Sequence, residues 1–182
     1  DYLRKCVRDC GRIRIERNRG AFIAMVRDEA DFLEPIVADP DRWLASGSPL
    51  KQGNTATLAL IEHEGRKLVI KRYNIKGAAH ALSRCWRPSR AWHAWLEGHR
   101  LRFLGIATPR PLALIEQRFG PLRGRAWLIV EHCAGRSLAE RPPSIAHLEP
   151  VVDLFARLSA ARISHGDMKA TNLLWDGERI GL

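Results

Sequence analysis

The residues best suited to chemistry lie near the end of the chain, in His165-Gly166-Asp167-Met168-Lys169-Ala170-Thr171-Asn172. Moving a phosphoryl group to a hydroxyl requires an acceptor for the hydroxyl proton, a hard oxygen ligand for Mg2+ and a cation beside the transferring group. Asp167 supplies the first, Asn172 the second and Lys169 the third. His, Asp, Lys and Asn at four set positions arise by chance in roughly one chain in a thousand or fewer. The non-chemical reading of the same string is a polar loop capping a helix.

Other residues fit the same chemistry less sharply. Lys71 ends the apolar run Leu68-Val69-Ile70, where a lysine can hold the α- and β-phosphates of a nucleotide. A lysine there is also an ordinary edge charge. Between Lys71 and Arg110 the chain carries nine Lys/Arg and one acid, Glu97. Glu97 is therefore the candidate partner of Lys71 from the following helix. Lys51-Gln52-Gly53-Asn54-Thr55 offers backbone N–H groups and the Thr55 hydroxyl to phosphates. It has one glycine rather than three, and a plain turn reads nearly as well. Leu128-Ile129-Val130-Glu131-His132-Cys133-Ala134-Gly135 resembles a kinase hinge, in which backbone groups around Glu131 to Cys133 meet an adenine edge. It also reads simply as a strand running into a loop.

These residues need elements to hold them. Ile13 and Ile15 alternate with charged neighbours, Asn18-Arg19-Gly20 turns the chain, and Ala21 to Val26 returns as a second strand. Residues 28–46 predict a short helix broken around Pro35 and Pro40, and Gly47-Ser48-Pro49 a linker. Thr57 to His63 and Lys67 to Tyr73 predict two strands around the turn Glu64-Gly65. Residues 89–104 predict a helix with Ser89 as N-cap, ended by Gly105, with Trp92, Trp95, Leu96, His99 and Phe103 on one face. Pro111 to Glu116 and Ala126 to Glu131 read as a strand pair around a Gly/Pro/Arg loop. Leu148 to Ala161 predicts a helix striped with Leu148, Val151, Val152, Leu154, Phe155 and Leu158. A hairpin closes the chain around Asp176-Gly177. The fold class is α+β, plausibly in two lobes.

Composition narrows the partners. The chain has 182 residues, 46% hydrophobic and 27% charged, which is a globular composition. No run approaches the roughly 18 apolar residues of a bilayer span, and the charged start lacks the apolar core of a signal peptide. It begins at Asp1 without an initiator Met and ends at Leu182 in what reads as mid-strand, the pattern of a fragment. Thirty basic against twenty acidic residues give a net charge of +10, which attracts polyanions without choosing among them. No zinc-finger spacing, RNP string or clear helix-turn-helix speaks for nucleic acid. Segment 71–110 holds its nine basic residues with Trp86, Trp92 and Trp95. That combination suits an anionic membrane surface, and equally a solvated face with its tryptophans in the core. Cys6 and Cys10 have no second ligand pair at zinc spacing, and the four cysteines read as reduced thiols.

Taken together the chain resembles the protein-kinase-like superfamily, and more closely the bacterial lipopolysaccharide core kinases of the WaaP/InaA type. The closer resemblance is carried by Val69-Ile70-Lys71-Arg72-Tyr73-Asn74, by Leu104-Gly105-Ile106-Ala107-Thr108-Pro109-Arg110-Pro111 and by the loop from His165 to Asn172. It runs from about Leu50 to Leu182 and is expected to include the N-terminal extension. It implies a bilobal fold: an extension over 1–46 (a β-hairpin and short helix), a five-stranded antiparallel N-lobe sheet with one helix and the hinge over 47–133, and the start of a C-lobe over 134–182. The C-lobe would be cut after the catalytic-loop hairpin, before the second metal-binding Asp. The resemblance implies ATP and Mg2+ as cofactors and a heptose or Kdo hydroxyl of the lipopolysaccharide inner core as acceptor. The place of action would be the cytoplasmic face of the bacterial inner membrane, bound peripherally. In these terms Asp167 and Lys169 are catalytic and Asn172 binds metal. Lys71, Glu97, Gly53, Thr55, Glu131 and Cys133 hold the nucleotide. Gly166 stands where many protein kinases have Arg, which argues against control by a phosphorylated activation loop. A kinase for another small molecule or for protein, and an inactive membrane-associated relative, are the alternatives.

Overall fold

The structure is a computed structural model and describes residues 2–74, 85–140, 144–164, 168–177 and 179–182. The chain forms two compact units: residues 1–99 with 110–132, and residues 100–109 with 133–182.

The first unit is built on one antiparallel sheet. Its strands are β1 (Ile13–Arg17), β2 (Ala21–Val26), β3 (Ser48–Gln52), β4 (Ala56–His63), β5 (Arg66–Tyr73), β6 (Pro111–Phe119) and β7 (Leu122–Glu131), in the order β1-β2-β6-β7-β5-β4-β3. The sheet has seven strands where five were expected, because the N-terminal hairpin pairs with β6 instead of standing apart. Ile23 lies opposite Ile115 and Ala24 opposite Leu114. The β1–β2 turn is an Asx turn: the Asn18 side-chain oxygen accepts from the N–H groups of Gly20 and Ala21, at 2.9 and 2.7 Å.

Strand alternation sends apolar residues to both faces, and both faces are covered. One face, with Leu68, Ile70, Ile115 and Ile129, packs against α2 (Ala30–Ala38) and α3 (Pro40–Ser46) through Leu33, Ile36, Val37 and Leu44. The other, with Ala24, Leu114, Ala126 and Leu128, packs against Ala91 and Trp95 of α4 (Arg90–Phe103) and against Cys6, beyond the short α1 (Tyr2–Lys5). The buried Trp95 indole N–H donates to the Cys6 carbonyl at 2.8 Å and so ties this N-terminal segment to α4. Gly98 lets α4 come close, since a Cβ there would lie 2.5 Å from Pro111 Cγ. Ser89 caps the helix as expected, accepting from the Trp92 N–H at 3.1 Å. Both N-terminal thiols are free. Burial pushes the Cys6 thiol up to about 11.

Several expectations need correction. Pro35 does not break its helix. It removes one hydrogen bond, to the carbonyl of Asp31, and both residues are exposed, so water can serve that carbonyl. The break comes at Asp39, whose carboxylate accepts from the Arg42 N–H while Pro40 opens α3. The supposed linker at Gly47 to Pro49 runs into β3, an exposed edge strand with a register shift between Pro49 and Lys51, which is where a sheet tolerates proline. The loop expected between β6 and β7 is mostly strand, turning only at Gly120 and Pro121. There Glu116 is fully buried, and its carboxylate meets Arg118 at 2.5 Å and Arg123 at 3.1 Å. It also accepts from the Ser89 N–H at 3.3 Å, which joins the hairpin to the start of α4.

The second unit is smaller. α5 (Leu148–Ala160) packs Leu154 and Leu158 against Leu101, Ile106, Leu173 and Ile180. A three-stranded sheet orders as β10-β9-β8, with β8 (Arg136–Ser137), β9 (Leu174–Trp175) and β10 (Ile180–Gly181). The apolar stripe of α5 is only half used: Leu148, Val152 and Phe155 are exposed. Phe103, placed on the packed face of α4, is 63% exposed. No helix among the described residues is long and apolar enough to cross a membrane.

Candidate active site

In the first unit Lys71 lies on β5, opposite Leu58 of β4 and Leu128 of β7. Leu68 and Ile70 point to the α2/α3 face, so alternation turns Lys71 and Tyr73 to the α4 face. Its ammonium sits 4.9 Å from the Tyr73 ring centroid, a cation–π distance. Burial pulls the Lys71 pKa down, and Lys51 and Arg90, both positive, pull it the same way. The Lys71–Glu97 ion pair expected from the sequence is not among the pairs of the described residues. Glu97 is exposed, because Ala91, Trp95 and Gly98 form the face of α4 that meets the sheet. Tyr73 is itself buried enough to push its phenol up to about 12.

The Gly53–Thr55 loop is a closed turn. The Gly53 N–H donates to the Ala56 carbonyl at 3.1 Å, so it already has its acceptor. A Cβ on Gly53 would make only ordinary contact, 3.5 Å from that carbonyl oxygen. Asn74 braces the turn: its amide donates to the Gly53 carbonyl at 2.9 Å and to the Thr57 hydroxyl at 3.2 Å, and its backbone N–H donates to the Thr55 carbonyl at 3.1 Å. Thr55 is exposed. Asn74 was read only as part of a resembling stretch; the turn it holds was not legible from residue type.

Glu131 closes β7, its N–H donating to the Arg110 carbonyl at 3.0 Å. The next N–H, of His132, donates to the Lys67 carbonyl at 3.1 Å. The Glu131 carboxylate joins a four-member charge network. Arg66 meets Glu29 at 2.6 Å and Glu131 at 3.4 Å, and Arg110 meets Glu29 at 3.1 Å and Glu131 at 3.3 Å. The hydrogen bonds from Arg66 hold the Glu29 carboxyl below the ordinary carboxylate range. Glu29, more than eighty residues upstream of Arg110, carried no sequence signal for this role.

In the second unit Lys169 and Asn172 bound a single 3-10 turn over Ala170–Asn172, in which the Asn172 N–H donates to the Lys169 carbonyl at 2.8 Å. β8 holds the turn: Ser137 Oγ donates to the Ala170 carbonyl at 3.1 Å, and the Leu138 N–H to the Leu173 carbonyl at 2.9 Å. Gly135 permits this approach, since a Cβ there would lie 3.1 Å from both Leu174 Cβ and the Trp175 carbonyl oxygen. Asp167 lies outside the described residues. Cys133 lines a cleft of about 970 Å³ within this unit, with Ala107, Thr108, Gly135, Asp153 and Leu174; neither Lys169 nor Asn172 lines it. Among the described residues no group of three His, Cys, Asp or Glu is placed to hold a metal. Asn172 offers one hard amide oxygen. That suits Mg2+, which keeps several waters and takes few protein ligands beside substrate phosphates.

The architecture, an antiparallel sheet carrying the half-buried Lys71 and a smaller unit carrying the Lys169–Asn172 turn, is that of a protein-kinase-like fold. It is shared with the solved structure of WaaP in complex with acyl carrier protein, at a TM-score of 0.56 and 18% identity over 84% of this chain and 62% of that one. The chain belongs to the lipopolysaccharide kinase (Kdo/WaaP) family, whose model matches residues 40–181. It is 30% identical over 158 residues to a 3-deoxy-D-manno-octulosonic acid kinase of Stenotrophomonas maltophilia strain R551-3, covering 81% of this chain and 63% of the relative. It is 29% identical over 147 residues to a protein of the same description from Xanthomonas campestris pv. campestris strain B100, covering 75% and 59%. The chain thus spans about three fifths of the length of the curated relatives it matches.

Proposed function

We propose that the protein transfers the γ-phosphoryl group of ATP to a sugar hydroxyl, of Kdo or heptose, in the lipopolysaccharide inner core. The observation that carries this reading is the family match over 40–181, which includes the His165–Asn172 loop, together with the turn that sets Lys169 and Asn172 side by side. The curated relatives are described as Kdo kinases, which favours Kdo over heptose.

In this mechanism Asp167 orients the acceptor hydroxyl and takes its proton as the bond to phosphorus forms. Lys169 balances charge on the transferring group, and Lys71 holds the α- and β-phosphates. The lowered pKa of Lys71, from desolvation and then from Lys51 and Arg90, fits a site that receives an anionic nucleotide. Glu97, on α4, would orient Lys71. Backbone groups of Glu131 to Cys133 would meet adenine, and the Gly53–Thr55 turn would cover the phosphates mainly through Thr55, since the Gly53 N–H is engaged. Asn172 would hold Mg2+, which supplies neutralisation of phosphate charge. The reaction asks little covalent chemistry of the protein, so positioning and electrostatics carry it. The protein would work at the cytoplasmic face of the inner membrane, held there peripherally, where the basic chain meets an anionic surface.

The test uses the full-length protein with labelled Mg·ATP and an unphosphorylated Kdo-bearing lipid acceptor, beside Asp167→Ala. Label on Kdo that is lost at least about a hundredfold in the variant is the expected result. Label on protein alone, or ATP binding without transfer, would overturn the reading.

A further inference from the structure

The sequence suggested a basic surface bearing Trp86, Trp92 and Trp95. The fold removes two of them. Trp95 is wholly buried, and Trp92 is half-buried between the Phe22 ring, centroids 5.0 Å apart, and the Arg123 guanidinium, 4.9 Å from its centroid. Trp86 alone remains outside, 68% exposed.

The backbone brings Trp86 beside another exposed ring. The Arg123 N–H donates to the Cys85 carbonyl at 2.9 Å, which lays the Trp86 segment along the start of β7. Phe119, opposite Leu122 at the tip of the β6–β7 hairpin, is 66% exposed. The β1–β2 turn lies against the same hairpin, because the Arg118 N–H donates to the Gly20 carbonyl at 2.8 Å. Three loops therefore meet at one edge of the sheet.

The charges at this edge divide into two groups. Arg118 and Arg123 are held by the buried Glu116. Arg17, Arg19 and Arg87 are exposed, and among the described residues none has a carboxylate within 4.0 Å. Two large exposed rings and three unneutralised arginines on adjoining segments fit an interface with an apolar layer beneath an anionic one. Rings beside arginines can also stack nucleobases, but the sequence carries no zinc-finger, RNP or clear helix-turn-helix pattern.

We infer that this edge, with Trp86 and Phe119 as inserting rings and Arg17, Arg19 and Arg87 as headgroup contacts, is the surface by which the protein docks on an anionic lipid bilayer. The inference rests on the membrane-surface reading above and names the residues that carry it.

The experiment is co-sedimentation of the full-length protein with phosphatidylcholine vesicles, with and without phosphatidylglycerol, at low and high salt. The wild type is expected to bind the anionic vesicles and to be released by salt. Arg17→Gln with Arg19→Gln, and separately Trp86→Ser with Phe119→Ser, should each weaken binding about tenfold or more, with unchanged thermal midpoints since all four side chains are exposed. If the wild type binds and neither double variant differs from it, the membrane reading stands and this surface is wrong. If only the arginine variant loses binding and RNA competes fully, the edge is a general polyanion site and the proposal fails. If the wild type ignores anionic vesicles, both readings fall.

Discussion

The two units handle burial in different ways. In the first, a seven-stranded sheet is covered on both faces, and even its charges are built in, with Glu116 fully buried between two arginines and Glu29 bridging two more. In the second, a three-stranded sheet of two-residue strands supports one helix whose apolar stripe is half exposed, with Val152 at 65% and Phe155 at 47%. An apolar pattern states which residues favour burial; only a partner surface decides whether they achieve it. The candidate residues divide between the two, with Lys71, Gly53, Thr55 and Glu131 in the first unit and Lys169 and Asn172 in the second.

The contrast breaks most sharply at Glu116. Glu116→Ala leaves Arg118 and Arg123 uncompensated and frees the Ser89 N–H, and should cost about 3–5 kcal/mol in denaturant unfolding. Loss of under about 1 kcal/mol would mean the cluster is solvated and the first unit is not held by its buried charges. Within the second unit two neighbours on α5 should behave oppositely. Leu154→Ala should cost about 2–5 kcal/mol, and Phe155→Ala less than about 0.5 kcal/mol. Equal costs would show that the exposed stripe is packed in solution.

The smallest effect concerns pH. The Glu29 carboxyl is held low by Arg66, so its folded pKa lies below its unfolded one. Its contribution is fully present above the unfolded value, near 4.5, and fades as pH falls through the folded one. The arginines are partly exposed, so the contribution should be under about 1 kcal/mol. Glu29→Gln should flatten the acid limb of stability against pH below about 4.5, and an unchanged limb would show that the network does not titrate as a unit.

The strands of the central sheet were legible from alternation at Ile13–Arg17 and from an apolar run beside a turn at Lys67 to Tyr73, within Arg66–Tyr73 of the structure. So was α4, with its Ser89 cap and Gly105 stop. What escaped were places where a long-range partner reverses a local signal. Arg118 and Arg123 look like loop residues until their neutralisation by Glu116 within the hairpin is known. Pro49 looks like a linker until an edge position excuses its missing donor. β8 is two residues long and pairs with β9 next to Gly135, where a Cβ would press on Leu174 and Trp175. At the candidate site, residue type marked Lys71, Lys169 and Asn172, but not the bracing of the Gly53–Thr55 turn by Asn74 or the clamping of Glu131 by Arg66 and Arg110.

The most direct measurement is nucleotide affinity and turnover in the full-length protein for Lys71→Met beside Lys169→Ala. Lys71→Met should weaken Mg·ATP binding about tenfold or more and lower turnover, with the fold unharmed because a half-buried, partly desolvated charge has been removed. Lys169→Ala should leave nucleotide affinity within about twofold and lower turnover about a hundredfold or more. The opposite pattern, with Lys169 setting affinity and Lys71 dispensable, would contradict the assignment of nucleotide grip to the first unit and of phosphoryl transfer to the second.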